Sequence, residues 1–355
     1  MLPISVCIIA KDEEETIQAC LESLKPYNFE IIVVDTGSTD QTKLIAKRFT
    51  EYVYDFEWIG DFSAARNFSI SKATNNWILI IDCDETIKDF DVKTVSKFLK
   101  QHPKSMGCVS HSNQLTSEQG EVTHHFFELE RIFHRNYYQY EGIIHETVVP
   151  IKPKTTPPTT ILLPITMLHS GYDGSDIAQN KKTERNITLL QQSVDRDPNN
   201  TYHQFQLARS FVNIKKYPEA MHHYDIALSQ NPPSDILYTK LLYIDYAELL
   251  HTLERTSEAI QFLEKSTEAV GDFADAAYIL GSYYYKQNNA VNAILNFIRA
   301  LNCPIYSNQS YKTVASHYML GLVYEQLGDH KMAHDFYKNC MDYKDTTERV
   351  SMLRL

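Results

Sequence analysis

Glycine is scarce in this chain, 11 of 355 residues, while tyrosine is abundant at 23. That balance argues against a loop-rich or low-complexity protein and for packed helices that bury large rings. Cys-x-x-Cys pairs are absent. Six cysteines (Cys7, Cys20, Cys83, Cys108, Cys303 and Cys340) lie scattered, which suggests neither a zinc site nor a disulfide framework. Cys7 and Cys83 fall inside apolar runs, where a thiol acts as a small hydrophobe. No apolar run reaches the roughly 18 residues that a membrane helix needs. Positive charge is not in excess either: the formal net charge of −11 removes the electrostatic reason to expect nucleic acid or an anionic membrane as partner. The opening residues, MLPISVCIIAKDEEE, lack a basic n-region and turn acidic at once, so they read as a first strand and not as a signal peptide. The expectation is a protein without a membrane span, in a reducing, cytoplasmic setting, and long enough for two domains with separate cores.

What is present falls into two halves of different period. ISVCIIA (Ile4–Ala10), EIIVVD (Glu30–Asp35), YVYDFEW and NWILIID are predicted strands. EEETIQACLESL, DQTKLIAKRF and FSAARNFSISKA are predicted helices, the second capped by Ser38, Thr39 or Asp40. Continuous Val/Ile runs mean burial on both faces, and strand–helix alternation means a mostly parallel, Rossmann-like sheet. Ligands of such sheets bind beyond the carboxyl ends of the strands. MGCVSHSNQLT, HHFFELERIFHR and TILLPITMLHSGY are further strands, KPKTTPPTT is a stiff loop, and DIAQNKKTERNITLLQQSVDRDP is a long helix.

From about residue 200 a repeat sets in. In the roughly 34-residue tetratricopeptide frame begun at Thr201, residues Leu207, Ala208, Phe211, Ala220, Tyr224, Ala227 and Pro232 take the signature positions. Frames begun at Ala274 (Leu280, Gly281, Tyr284, Ala293, Phe297, Ala300) and at Val314 (Leu320, Gly321, Tyr324, Ala333, Tyr337, Cys340) match as well. A weaker one near Lys240 carries Ala247, Leu250, Ala259 and Leu263. Small residues let paired helices approach, and aromatics fill the groove between them. The predicted organisation is residues 1–175 as the α/β domain, 176–200 as a linking helix, and 201–355 as an all-α repeat domain.

Acids gather where the strands end. Asp12 and Glu13 follow the first strand, Asp35 closes the second, and Asp82, Asp84 and Glu85 follow WILII; Asp61 opens DFSAARN. A lone strand-end carboxylate either caps the next helix or holds a cation. Several on one edge would repel one another and raise their own pKa values, a conflict that a divalent cation relieves; oxygen ligands suit Mg²⁺ or Mn²⁺. In an extended Asp-x-Asp both side chains point to one side, so Asp82 and Asp84 would address one assembly of metal and diphosphate.

ISVCIIAKDEEETIQACLESL, EIIVVDTGSTDQT, DFSAARN and WILIIDCDE, in that order over about 85 residues, resemble the nucleotide-sugar half of family 2 glycosyltransferases, inverting enzymes of the GT-A fold. The likeness continues through IIHETVVP and MLHSGY. With the attached repeats, the arrangement is similar to bacterial transferases that glycosylate peptides or proteins, including the sublancin-type peptide S-glycosyltransferases. The resemblance implies a GT-A domain over residues 1–175 and a UDP-sugar donor. Ala10 and Glu13 would line the base pocket, and Asp35 would bind uracil or ribose. Asp61 and Arg66 would border the nucleotide, Arg66 also the diphosphate. Asp82 would face ribose or sugar, Asp84 and His169 would ligate the metal, and Tyr172 would lie near the diphosphate. The base is expected at Glu146, with His145 as base or orienter, the bland alternative being that the two cap a turn or pair with Arg131 or Arg135. Glu128 and Glu130 are alternative bases.

The acceptor implied is a Cys or Ser/Thr side chain of a peptide or protein of bacteriocin type, held on the concave face of the repeats, a face that could instead, or as well, form a homodimer. A cell-surface saccharide is the alternative acceptor, and a non-catalytic scaffold the alternative class. A nucleotidyltransferase would want a Gly-rich, basic first loop, and AKDEEE is acidic without glycine. His124, His125 and His134 could form a second metal site, but they read better as plain strand-exposed histidines.

Overall fold

The computed structural model describes residues 2–116, 122–152, 158–169 and 176–353, with backbone only at 113–116, 122–127 and 176–181. The chain divides into two compact units, Met1–Ser193 and Val194–Leu355.

In the first unit the order is β1 (Ile4–Ala10), α1 (Ile17–Leu24), β2 (Glu30–Asp35), α2 (Thr42–Ala46), β3 (Val53–Asp55), α3 (Phe62–Lys72), β4 (Trp77–Ile80), β5 (Glu85–Phe90), α4 (Val92–Gln101), β6 (Met106–Thr116), β7 (Val122–His134), β8 (Tyr138–Glu141), β9 (Thr147–Pro150), β10 (Thr160–His169) and α5 (Asp176–Arg196). Eight strands form one sheet in the order β3-β2-β1-β4-β7-β6-β10-β5, and β8 pairs with β9 separately. β3, β2, β1 and β4 run parallel, β7 is antiparallel to β4 and β6, and β10 is parallel to β6. Ile4, Val6 and Ile8 of β1 pack against Ile17, Leu21 and Leu24 of α1. Cys7, between them in sequence, joins Ile32, Val34, Ile78 and Ile80 under Ile70 of α3. One strand thus feeds two apolar layers, which is why its run is continuous and not alternating. All six cysteines are buried and free. Among the described residues, no helix is long and apolar enough to cross a membrane.

Two helices are shorter than the pattern suggested, for a visible reason. Asp12 Oδ1 accepts from the Thr39 N–H at 2.7 Å, Glu14 Oε2 from the Gln41 N–H at 2.8 Å, and the Glu13 N–H donates to Thr42 Oγ1 at 2.7 Å. These bonds stitch the loop after β1 to the loop after β2, so α1 begins at Ile17 and α2 covers only Thr42–Ala46. None of the three expected caps occupies the cap position, which is Gln41; Asp40, one residue before it, accepts from the Thr42 N–H through Oδ1 at 2.9 Å.

The second unit is all helix: α6 (Thr201–Asn213), α7 (Tyr217–Ser229), α8 (Leu237–Thr252), α9 (Thr256–Val270), α10 (Ala274–Lys286), α11 (Ala290–Asn302), α12 (Gln309–Lys312), α13 (Val314–Gln326), α14 (His330–Tyr337) and α15 (Thr346–Met352). The frames at Thr201, Ala274 and Val314 coincide with the starts of α6, α10 and α13. A Cβ on Gly281 would lie 2.8 Å from the Phe297 ring, and one on Gly321 would collide with the Tyr337 ring. The small and aromatic signature positions therefore touch across each helix pair, as the repeat requires.

Candidate active site

A cavity of about 780 Å³ opens at the carboxyl ends of β1 and β4. Ala10 lines it from the end of β1, Asp12 and Glu13 from the loop that follows, Thr36 from just beyond β2, and Asp82, Cys83 and Asp84 from the loop after β4. Arg66 of α3, Ile144–Glu146 of the turn before β9, and His169 at the end of β10 complete its polar wall. Trp58 and Phe62, rings 4.8 Å apart, form an apolar part.

β4 stops at Ile80, and Asp82–Glu85 turn instead of extending: the Glu85 N–H reaches Asp82 O at 3.0 Å, and the Asp82 N–H reaches Glu85 Oε2 at 2.9 Å. The two aspartates accordingly have different partners. Asp82 accepts from Arg66 Nη2 at 2.9 Å and Arg131 Nη2 at 3.0 Å. Burial alone would raise its carboxyl, but the two guanidiniums outweigh that and hold it well below the usual carboxylate range. Asp84 Oδ2 instead meets His169 Nε2 at 3.0 Å. Burial opposes the charged imidazole, yet the hydrogen bond and charge of Asp84 raise the His169 pKa on balance.

A chain of ion pairs runs on beneath the cavity. Arg131 Nη2 also holds Glu85 Oε1 at 2.5 Å, and Glu85, 1% exposed, pairs with His111 Nε2 at 2.7 Å. At the other end Arg66 Nε donates to Glu146 Oε1 at 2.6 Å. Of the acids expected to repel one another, Asp82 and Glu85 are neutralised by Arg66 and Arg131, so the crowding at these two does not by itself require a metal. Among the described residues no group of three or more His, Cys, Asp or Glu side chains is arranged to hold an ion; what converges is the Asp84–His169 pair.

Residues 5–150 match the family model described as glycosyl transferase family 2, and residues 314–347 match that of a tetratricopeptide repeat. The chain joins a family 2 glycosyltransferase domain to C-terminal tetratricopeptide repeats. A TPR repeat-containing protein of Synechococcus elongatus is 26% identical over 294 residues, 80% of this chain and 70% of that protein. The SPbeta prophage-derived glycosyltransferase SunS of Bacillus subtilis is related at 31% identity over 219 residues, which are 60% of this chain and 50% of SunS. An uncharacterised glycosyltransferase of Rickettsia typhi is 40% identical over 87 residues, 24% of this chain and 30% of that one.

Within the transferase domain some expected residues stand back from the cavity. Asp61 caps α3, accepting from the Ala64 N–H at 2.9 Å and from Ser63 Oγ at 2.8 Å. Asp35 uses Oδ1 to accept from the Gly37 and Ser38 N–H groups at 2.8 and 2.9 Å. Its Oδ2 is buried with no hydrogen-bond partner among the described residues, and so is Arg66 Nη1. Of the two, Arg66 lines the cavity and Asp35 does not; its neighbour Thr36 does. Glu128 and Glu130 are exposed on β7 while Arg131 between them and Ile132 is buried. His134 packs edge-on against Trp77, ring centroids 5.4 Å apart. Tyr172 and the side chains of His124 and His125 lie outside the described residues.

Helix α5 supplies what the sequence reading missed. Lys182, Arg185 and Asn186 line the same cavity. The Arg185 guanidinium sits 5.1 Å from the Phe62 ring, and a Cβ on Gly60 would touch Leu189 at 3.5 Å. The helix expected as a linker thus lies almost wholly in the first unit and brings two cations to its site. Its polar composition resembles any solvated helix, so no local signal marked them. The pairing of Arg131 with Glu85 and of Glu85 with His111 was likewise invisible, because the partners are 46 and 26 residues apart.

Proposed function

We propose that this chain is an inverting, metal-dependent glycosyltransferase that moves a hexose from a UDP-sugar to a Cys or Ser/Thr side chain of a peptide or protein. The observation that carries the reading is the cavity at the strand ends, where the Asp84–His169 pair stands with three cationic side chains, Arg66, Lys182 and Arg185. Such a donor set fits a nucleoside diphosphate. Ala10, Glu13 and the free Oδ2 of Asp35 would receive the base and ribose, Asp61 would act only through the position of α3, and Tyr172 remains assigned to the diphosphate.

The residues present fit a divalent cation. A carboxylate and an imidazole are ligands that Mn²⁺ accepts, and an ion bound by one or two side chains commonly completes its shell with phosphate oxygens and water. Asp84 and His169 would hold it, while Asp82, held by Arg66 and Arg131, would face the ribose or sugar. When bound there, the ion supplies positive charge opposite the leaving diphosphate. Arg66 Nη1, Lys182 and Arg185 add fixed positive charge where negative charge develops, which is how preorganised sites lower such barriers.

The acceptor group attacks the anomeric carbon from the face opposite the diphosphate, and its proton passes to a base. Glu146 is that base in this reading, held by Arg66; His145, at φ 51°, orients the turn that presents it. Gly142 at φ 104° and the Phe62 N–H on Ile143 O at 2.9 Å fix the same turn over α3. The relation to SunS and the repeats support a peptide acceptor. The experiment is hydrolysis of a UDP-sugar panel without acceptor, followed by mass spectrometry of peptides incubated with the preferred donor. Release of UDP from one sugar and a hexose mass added to Cys, Ser or Thr is expected; no turnover of any donor overturns the reading.

A further inference from the structure

Glu85, Arg131 and His111 are buried, at 1%, 8% and 3% exposure, and none of the three lines the cavity at the strand ends. A buried ion pair is a poor source of stability, since apolar side chains of similar volume commonly hold a core at least as well. Arg131 Nε is moreover left without a hydrogen-bond partner among the described residues, a further cost. What the cluster secures is the geometry of the Asp-x-Asp motif in front of it.

Glu85 uses both carboxylate oxygens. Oε2 accepts from the Asp82 N–H at 2.9 Å and so locks the turn that the Glu85 N–H makes with Asp82 O at 3.0 Å. Oε1 takes Arg131 Nη2 at 2.5 Å and His111 Nε2 at 2.7 Å. The same Nη2 reaches Asp82 Oδ2 at 3.0 Å, so Glu85 fixes the backbone of Asp82 directly and its side chain through one nitrogen. It also addresses the other half of the motif. Glu85 is the register partner of His169 where β5 runs antiparallel to β10, and the His111 ring that it holds lies 5.6 Å from the His169 ring. One carboxylate thus bears on the turn between Asp82 and Asp84, on the cation beside Asp82, and on the place of the histidine that meets Asp84.

We propose that Glu85 is a positioning residue of the transferase. Acting through the Asp82 amide, Arg131 and His111, it divides the motif, giving Asp82 to Arg66 and Arg131 and leaving Asp84 to His169 and the ion. In an extended Asp-x-Asp both carboxylates would point to one side; the turn that Glu85 holds separates their tasks. This role rests on the metal-dependent nucleotide-sugar reading above and adds to it a residue that touches neither donor nor ion.

The test is calorimetry on the full chain, wild type and Glu85→Gln, with UDP titrated at a series of fixed Mn²⁺ concentrations and uridine titrated in parallel. Uridine, which lacks the diphosphate, should bind both forms alike. The Mn²⁺ concentration that gives half the gain in UDP affinity should rise roughly 10- to 100-fold in the variant, the usual effect of changing a group that orients a metal ligand. A purely structural role would lower the melting midpoint and leave the Mn²⁺ dependence of the folded protein as it is. Glu85→Asp keeps the charge beside Arg131 but is one methylene too short to hold the Asp82 N–H as well. It should shift the Mn²⁺ dependence in the same direction, and it decides the question if Glu85→Gln does not melt cooperatively. Unchanged Mn²⁺ dependence in a folded variant overturns the proposal, as does an equal loss for uridine. Failure of both variants to fold assigns Glu85 to the fold and overturns it too. A wild type without any Mn²⁺ gain fails the metal reading itself and takes this role with it, whereas a wild-type gain that both variants keep removes the role of Glu85 alone.

Discussion

Glu146 is clamped by Arg66: its Oε1 accepts from Nε at 2.6 Å, and both side chains are about one-tenth exposed. The same guanidinium holds Asp82 at 2.9 Å, so one cation from α3 ties the loop after β4 to the turn before β9. The candidate base and a residue of the Asp-x-Asp motif therefore share a counter-ion. Changes to any of the three must be read for structure and for chemistry separately.

Arg66→Ala leaves Glu146 without its cation, while Asp82 keeps Arg131. Breaking a buried pair from one side costs about 3–5 kcal/mol, and the surviving Arg131 contact points to the low end. Urea unfolding followed by tryptophan fluorescence reports it cleanly, because Trp58 and Trp77, the two tryptophans, both lie in the first unit. An unchanged midpoint would mean that the pair contributes nothing to folding.

Glu146→Gln keeps a hydrogen-bond acceptor for Arg66 and removes the proton acceptor. Transfer to a Ser peptide should fall by roughly 10²- to 10⁴-fold. Transfer to a Cys peptide should fall less, since a free thiol is already a few per cent thiolate near neutral pH. Initial rates on paired Ser and Cys peptides decide this; equal losses would make Glu146 a structural residue.

Lys182→Ala combined with Arg185→Ala removes two cations from the cavity wall. UDP affinity measured by calorimetry should weaken by roughly tenfold, one charge-assisted contact being worth about that factor. Uridine, which lacks the diphosphate, should bind both forms alike. A parallel loss for uridine would show that α5 shapes the pocket and does not read charge.

The legible parts of this protein were those with a period. Ile/Val runs marked β1, β2 and β4, and the spacing of Leu207, Ala208 and Phe211 from Thr201 located α6 to the residue. β5 went unread because Glu85–Phe90 is a mixed polar edge strand, bonded to β10 alone. Asp12 and Asp61 were recognisable as acids near strand ends, yet the work of Asp12 as a backbone acceptor depends on a loop 27 residues away, and that of Asp61 on a local cap no different in sequence from a ligand. Arg131 could be seen, but only the packing of β7 beside β4 gives it Asp82 and Glu85 as partners.

Asp245 makes the repeat unit pH-sensitive. Its carboxyl titrates at about 7 when folded, in reach of Arg209, Glu248 and Tyr224, and near the ordinary carboxylate value when unfolded. Between those values the folded state binds the extra proton, so stability falls as pH rises from about 4 to about 7, with a slope approaching 1.4 kcal/mol per unit. Far-UV circular dichroism in urea across that range should show the decline in the wild type and a flatter profile in Asp245→Asn. A wild-type profile that rises with pH would reverse the sign of the argument.

The most direct measurement of the central claim is calorimetry of UDP with and without Mn²⁺ on the full chain and on Asp84→Asn and His169→Ala. A nucleotide-sugar site at the ends of β1 and β4 requires UDP binding that strengthens with Mn²⁺ and loses that gain in both variants. No UDP binding by the wild type, with or without the ion, would contradict it and leave a repeat protein on a transferase fold that does not bind its donor.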